Sequence, residues 1–187
     1  MPPLLPFALT GGTNLALRYG HRISVDLDFF TLHPFDTQAV IQLLQTEFAP
    51  AVLLEEAVNT VSIVVGGVKV DFIAQRYPAQ PFEVLEEIRL FDLRDVIAMK
   101  LGAIARRGAK KDFHDLAELT QQFTIAEMLG FYSEKYANTD PFFVVRSLTY
   151  FGDAEGQEDP ISLTGITWEQ VKKRVEQAVN MFLWETI

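Results

Sequence analysis

The spacing of apolar positions predicts two regimes along this chain. Up to about residue 91, short apolar runs are punctuated by Gly, Pro and charged turns; beyond it, apolar residues recur every three or four positions. Leu4 to Leu9, bounded by prolines and by Gly11-Gly12, predicts a first strand. Thr13 to Tyr19 predicts a brief helix, capped by Thr13 and stopped at Gly20. Val25 to Thr31 alternates as a strand, and Asp36 caps a helix from Thr37 to Phe48 with Val40, Ile41, Leu44 and Phe48 on one stripe. Val52 to Glu56 and Thr60 to Val65 predict two more strands. Gly66-Gly67 then forms a two-residue hairpin, with positive φ at both positions, into the strand Val68 to Ala74. Glu87 to Phe91 predicts a last short strand.

The second half reads as helices. Asp92 caps a helix that buries Ile97, Leu101 and Ile104, and Gly108 breaks it. A helix from about Lys110 turns Phe113, Leu116, Ala117 and Leu119 inward, with Asp112 and Asp115 on one face. Thr124 to Glu127 spells a capping box, Pro141 to Phe151 an apolar helix, and Thr167 to Glu185 an amphipathic one. The expected fold is α+β, a small mixed or antiparallel sheet flanked by helices with a C-terminal helical region. The expected division is 1–91 for an α/β core and 92–187 for helices packed on it.

Composition narrows the class. A chain of 187 residues with 49% hydrophobic content and fifteen Phe has material for a sizeable core. No cysteine is present, which excludes disulfides and thiolate metal sites. No apolar run approaches the roughly twenty residues of a membrane span, and MPPLLPF does not resemble a signal peptide. The expectation is a soluble cytoplasmic protein with no membrane partner. A net charge of −9 disfavours loose binding to nucleic acid, so an RNA partner needs a local basic patch. Arg94, Lys100, Arg106, Arg107, Lys110 and Lys111 offer one.

The candidate chemistry centres on Asp26 and Asp28. Alternation along a strand points both carboxylates to one face, and such a pair persists most readily with a cation between them. All-oxygen ligands suit Mg²⁺ (or Mn²⁺), which completes its shell with water and substrate phosphates. Gly11-Gly12 before a short helix lets backbone N–H groups approach those phosphates. Asp71, with apolar neighbours in its strand, reads either as an edge position or as a third acid. Arg18, His21 and Arg22 read as phosphate neighbours or as a solvated turn. Lys100, flanked by Met99 and Leu101, wants an anion, and shares a helix face with Arg107. His114 reads as a surface or supporting residue rather than a ligand.

Leu9 to Phe30, LTGGTNLALRYGHRISVDLDFF, has Gly-Gly, thirteen intervening residues and then Asp-Leu-Asp-Phe. This pattern resembles the signature of polymerase-β-type nucleotidyltransferases. Its spelling is similar to the abortive-infection nucleotidyltransferase toxins of the AbiEii/AbiGii type. Val70-Asp71-Phe72, Lys100 through Arg107, and Lys111-Asp112-Phe113-His114-Asp115 follow in the family's order, so the resemblance covers residues 7 to 120. It implies transfer of a nucleoside monophosphate from an NTP to a hydroxyl of RNA or protein, within a toxin–antitoxin system that supplies a cognate antitoxin. It further implies that Asp26, Asp28 and Asp71 are catalytic and hold Mg²⁺. Gly11, Gly12 and Thr13 would cradle the triphosphate, Lys100 and Arg107 would be its counter-charges, and Arg18, Lys111 and Asp112 would support the site. Two further readings stand beside this one: a small-molecule, antibiotic-type nucleotidyltransferase, and a non-catalytic metal–nucleotide-binding module.

Overall fold

The structure is a computed structural model that describes residues 2–137 and 139–185. Met1, Ile187 and the other ends of the expected division beyond these bounds lie outside the described residues. Among the described residues, a seven-stranded mixed sheet and seven α-helices confirm the α+β expectation. The chain divides into two compact units. A sheet unit comprises residues 1–14 and 24–92, and a helical unit comprises 15–23 and 93–187. These units differ from the division at 91/92 expected from sequence in that 15–23 go with the helices and residue 92 with the sheet.

In the sheet unit, Pro2–Leu4 form a 3-10 turn and β1 is only Ala8–Thr10, shorter than the Leu4 to Leu9 expected. Prolines at 2, 3 and 6 lack the N–H a ladder needs, which confines the strand to the residues after them. Helix α1 (Gly11–Tyr19) begins two residues earlier than expected, and strand β2 (Leu27–Thr31) two residues later. Helix α2 (Thr37–Glu47) starts as expected, with the Asp36 carboxylate accepting from the Ala39 N–H at 3.1 Å. Strands β3 (Ala51–Ala57), β4 (Thr60–Val65) and β5 (Val68–Ala74) form a meander. Both Gly66 and Gly67 adopt positive φ (57° and 86°), as a two-residue turn demands. The expected last strand is present as β7 (Ile88–Leu90), and it is paired in a hairpin with β6 (Glu83–Leu85), turned by Glu86 and Glu87 at positive φ. Two glutamates carry no turn signal, so the sequence hides this hairpin.

The strand order is β3-β4-β5-β2-β1-β7-β6. Strands β2 and β5 are parallel, as are β1 and β7; the remaining pairs are antiparallel. Apolar rows cross the sheet toward α2. Val61 pairs with Phe72, Phe72 with Phe29, and Phe29 with Leu9. With Phe7, Val40, Ile41 and Leu44 these residues make the core of the unit, and Phe72 stacks on Phe29 at 5.4 Å. Alternation requires that the intervening rows face the other way, and one of them is polar throughout: Thr10, Asp28, Asp71 and Ser62.

The helical unit holds α3 (Leu93–Arg107), α4 (Lys110–Leu119), α5 (Ile125–Lys135), α6 (Pro141–Ser147) and α7 (Trp168–Glu185). Gly108, at φ +50°, makes the break between α3 and α4. Thr124 and Glu127 form the capping box at α5. Helix α6 ends at Ser147 rather than Phe151. At the start of α7, Trp168 meets Phe113 and Phe151 edge-on and stacks on His114 at 6.1 Å. His114 is therefore buried at 5% exposure, not a surface residue. Burial pulls its imidazole below the ordinary histidine value, and Asp159 and Asp115 only partly offset that. Among the described residues no helix is long and apolar enough to cross a membrane.

Candidate active site

One polar row runs through the centre of the sheet. Ser62 on β4 pairs with Asp71 on β5, Asp71 with Asp28 on β2, and Asp28 with Thr10 on β1. Paired residues on neighbouring strands share a face, so Asp28 and Asp71 project side by side from parallel strands. Asp26 sits one residue before the first ladder pair, Leu27 with Val70. It lies in the extended approach to β2, not in the strand. The expectation that strand alternation sets Asp26 and Asp28 on one face therefore covers Asp28 alone, and the ladder supplies what sequence could not, the placing of Asp71 beside Asp28.

Gly11 is shaped around this row. Its φ is +65°, and a Cβ there would lie 2.2 Å from Asp28 Oδ2. Only glycine permits both the left-handed backbone and that approach. Thr13 does not cap α1; its hydroxyl donates to the Asp26 carbonyl and meets the Ser24 hydroxyl at 2.8 Å. Asn14, fully buried, donates to the carbonyls of Leu9 (3.0 Å) and Phe91 (3.1 Å), which pins the first turn of α1 to the ends of β1 and β7. Asn14 carried no signal in the sequence beyond its place after Gly-Gly-Thr.

Asp71 has two partners. The Ser62 hydroxyl donates to Oδ1 at 2.6 Å, and the Lys69 ammonium pairs with Oδ2. Among the described residues, no three His, Asp or Glu side chains form a ready-made metal cage. The donor set nevertheless fits a hard divalent ion: carboxylate oxygens on one sheet face, beside a cradle that a single Cβ would fill. Mg²⁺ takes one or two carboxylates and draws its remaining ligands from water and phosphate, so a complete cage of side chains is not required.

The helical unit carries its own buried ionic cluster. Lys100, 5% exposed, places its ammonium 2.7 Å from both Asp112 and Asp115. The anion that its burial demands is thus supplied by the chain itself. Arg107 reaches Asp112 at 3.0 and 3.2 Å while keeping its side chain 58% exposed. Asp115 also receives Arg22 through two bonds of 2.6 and 2.8 Å and has His21 Nε2 at 2.7 Å. His21 and Arg22 are therefore buried structural partners rather than a solvated turn. Burial alone would raise the Asp115 carboxyl, but Lys100, His21 and Arg22 hold it far below the usual carboxylate range. Burial likewise opposes ionisation of Asp112, and Lys100 and Arg107 outweigh it. Burial would lower the Lys100 ammonium, yet Asp115 and Asp112 raise it. Of the remaining expected residues, Arg18 lies half-buried in the last turn of α1 and Lys111 is exposed in the first turn of α4.

Comparison with known proteins assigns the family. Residues 4–84 match the family described as nucleotidyl transferase AbiEii toxin of type IV toxin–antitoxin systems. An uncharacterised Aquifex aeolicus protein is 34% identical over 184 residues, spanning 95% of this chain and 88% of that one. The chain belongs to the AbiEii nucleotidyltransferase family. By that membership it is an enzyme of the nucleotidyltransferase class. The fold agrees. JHP933 from Helicobacter pylori superposes with a TM-score of 0.57 at 19% identity, covering 94% of this chain and 83% of that one. MenT4, a nucleotidyltransferase toxin of Mycobacterium tuberculosis H37Rv, superposes with a TM-score of 0.55 at 15% identity over 90% of this chain and 74% of that one.

Proposed function

We propose that this AbiEii-family chain is a Mg²⁺-dependent (or Mn²⁺-dependent) cytoplasmic toxin that transfers a nucleoside monophosphate from an NTP to a hydroxyl of RNA or protein, and that a cognate antitoxin restrains it. The observation that most supports a metal–nucleotide site is the ladder pairing of Asp28 with Asp71, beside a Gly11 that approaches the Asp28 carboxylate closely. Like charges directly opposite on adjacent strands are unfavourable unless a cation offsets them.

In this reading Asp26 and Asp28 hold the ion that carries the triphosphate, and Asp71 completes the site. A divalent ion held by these carboxylates would supply positive charge beside the triphosphate. Asp71 is the group placed to take the acceptor proton, and Ser62 fixes its carboxylate for that task. The acceptor oxygen bonds to the α-phosphorus, the bond from that phosphorus to the bridging oxygen breaks, and pyrophosphate leaves. The first turn of α1, from Gly11 through Thr13, offers backbone N–H groups to the phosphates. The counter-charge role of Lys100 and Arg107, with Asp112 orienting both, rests on the family pattern. The contacts of Asp112 with the two cations are compatible with it.

The test is transfer of radiolabel from α-labelled NTPs, one at a time, onto total RNA, onto proteins and onto the chain itself. Labelled RNA or protein is the expected result. The net charge of −9 favours one other reading, a small-molecule hydroxyl acceptor. Label appearing only on added aminoglycosides would select that reading. Tight Mg-NTP binding with no label in any mixture would leave a binding module.

A further inference from the structure

Asp71 is the one acid of the polar row with a cation supplied by its own strand. Lys69 and Asp71 are two residues apart on β5, so they share a face. The Lys69 ammonium pairs with Asp71 Oδ2, while Ser62 satisfies Oδ1. By register Asp71 lies beside Asp28. A monovalent cation thus offsets Asp71, the carboxylate that the ladder sets beside Asp28, where a divalent ion would serve the same electrostatic purpose.

The two members of the pair differ in how firmly they are held. Asp71 is 19% exposed and gripped by buried Ser62, whereas Lys69 is 44% exposed, two residues past the Gly66-Gly67 turn. An ammonium on a four-carbon stem at such a position swings into water at little cost, and a half-exposed ion pair is weak. The anion is fixed and the cation is free to leave.

We propose that Lys69 is a displaceable counter-ion of the carboxylate site. Its ammonium occupies the cation position at Asp71 and excludes free divalent metal until a metal–triphosphate displaces it. This rests on the metal–nucleotide reading above, and makes Lys69 a positioning and selectivity residue rather than a catalytic one. A metal arriving alone must compete with the ammonium using charge only. A metal arriving on a triphosphate brings anionic oxygens that the displaced ammonium can itself contact, so the exchange is easier.

The experiment counts bound Mn²⁺ by electron paramagnetic resonance, without nucleotide and with α,β-methylene ATP. It compares wild type, Lys69→Met, Lys69→Arg and Lys69→Met/Asp71→Asn. Lys69→Met keeps the stem and removes the charge, so free Mn²⁺ should bind about tenfold or more tightly than in wild type. Lys69→Arg should behave as wild type, and the double variant should lose the gain. Affinity for Mn²⁺ with the triphosphate analogue should change by less than about threefold, because the variant is spared displacing the ammonium but loses the contact that the displaced ammonium makes with the triphosphate. Circular dichroism confirms the fold of each variant, and Lys69→Gln replaces Lys69→Met if the latter does not fold. Unchanged free Mn²⁺ affinity in a folded charge-removal variant, with Mn²⁺–analogue binding intact, overturns the counter-ion role and leaves the metal–nucleotide reading standing. A gain that persists in the double variant overturns it too. Absence of Mn²⁺–analogue binding in wild type removes both.

Discussion

Gly11→Ala is the most informative single substitution in this chain, because two separable costs meet there. The first is conformational. An alanine at φ +65° is left-handed, at about 1–2 kcal/mol. The second is steric. The new Cβ would lie 2.2 Å from Asp28 Oδ2 and 3.0 Å from its Cγ, so the carboxylate must retreat by about 1 Å to reach ordinary contact. Pushing Asp28 off its rotamer costs about 0.5–1.5 kcal/mol. The expected loss is therefore about 1.5–3.5 kcal/mol. Gly20→Ala isolates the first cost, since Gly20 has φ +60° and nothing within 4 Å of its would-be Cβ. Urea denaturation of Gly11→Ala, Gly20→Ala, Asp28→Ala and Gly11→Ala/Asp28→Ala measures each part. In the Asp28→Ala background the cost of Gly11→Ala should shrink to that of Gly20→Ala, a coupling of about 0.5–1.5 kcal/mol. Mg-NTP affinity should fall in Gly11→Ala and not in Gly20→Ala. Equal costs for Gly11→Ala in both backgrounds would refute the claim that glycine is there to admit the Asp28 carboxylate.

Asp26→Asn and Asp28→Asn should each abolish Mg²⁺-dependent NTP binding by calorimetry while raising thermal stability through relief of like-charge repulsion; unchanged affinity in both removes them as ligands. Asp71→Asn should keep Mg-NTP binding within a few fold and lower transfer of α-label by roughly two to four orders of magnitude, and undiminished label removes Asp71 from the mechanism. Asp115→Asn should destabilise the chain by about 3–5 kcal/mol in denaturant titration, because Lys100, Arg22 and His21 lose a buried partner; a change below 1 kcal/mol contradicts the cluster's weight. Asp112 and Asp115 both ionise more readily folded than unfolded. Their stabilisation is therefore complete above the ordinary carboxylate range and drains away as pH falls through and below it. Asp115→Asn should flatten that acid slope, and an unaltered slope would place the pH dependence elsewhere.

The elements were legible in the sequence where one local rule dominates. Asp36 before an apolar stripe, Thr124 with Glu127, and Gly66-Gly67 between alternating runs each produced the predicted cap or turn. The β6–β7 hairpin was not, because Glu86 and Glu87 adopt positive φ without the glycine or asparagine that announces it. At the candidate site, alternation was expected to set Asp26 and Asp28 on one face, but β2 begins at Leu27 and only Asp28 lies in the strand. The ladder that sets Asp71 beside Asp28 is a long-range pairing of β2 with β5, which no local pattern encodes. Lys100 illustrates the reverse error. Its apolar flanks correctly signalled burial and a need for an anion, but the anions nearest to hand, Asp112 and Asp115, lie one helix later in the chain. The weight of Lys100 thus falls on the fold as well as on any ligand. Ser62 and Lys69 gave no signal, since their importance lies wholly in what Asp71 requires.

Trp168, wedged between Phe113, Phe151 and the His114 ring, has an optical consequence. The chain has two tryptophans, Trp168 and Trp184, and both belong to the helical unit. Trp184 is 81% exposed, so a blue-shifted indole emission comes from Trp168, packed in its aromatic nest. The sheet unit, with no indole, is dark at those wavelengths. Tryptophan fluorescence therefore reports the melting of the helical unit alone, while far-ultraviolet ellipticity sums both units. Superimposable curves from the two probes would mark a single cooperative transition, and separated curves would give each unit its own midpoint.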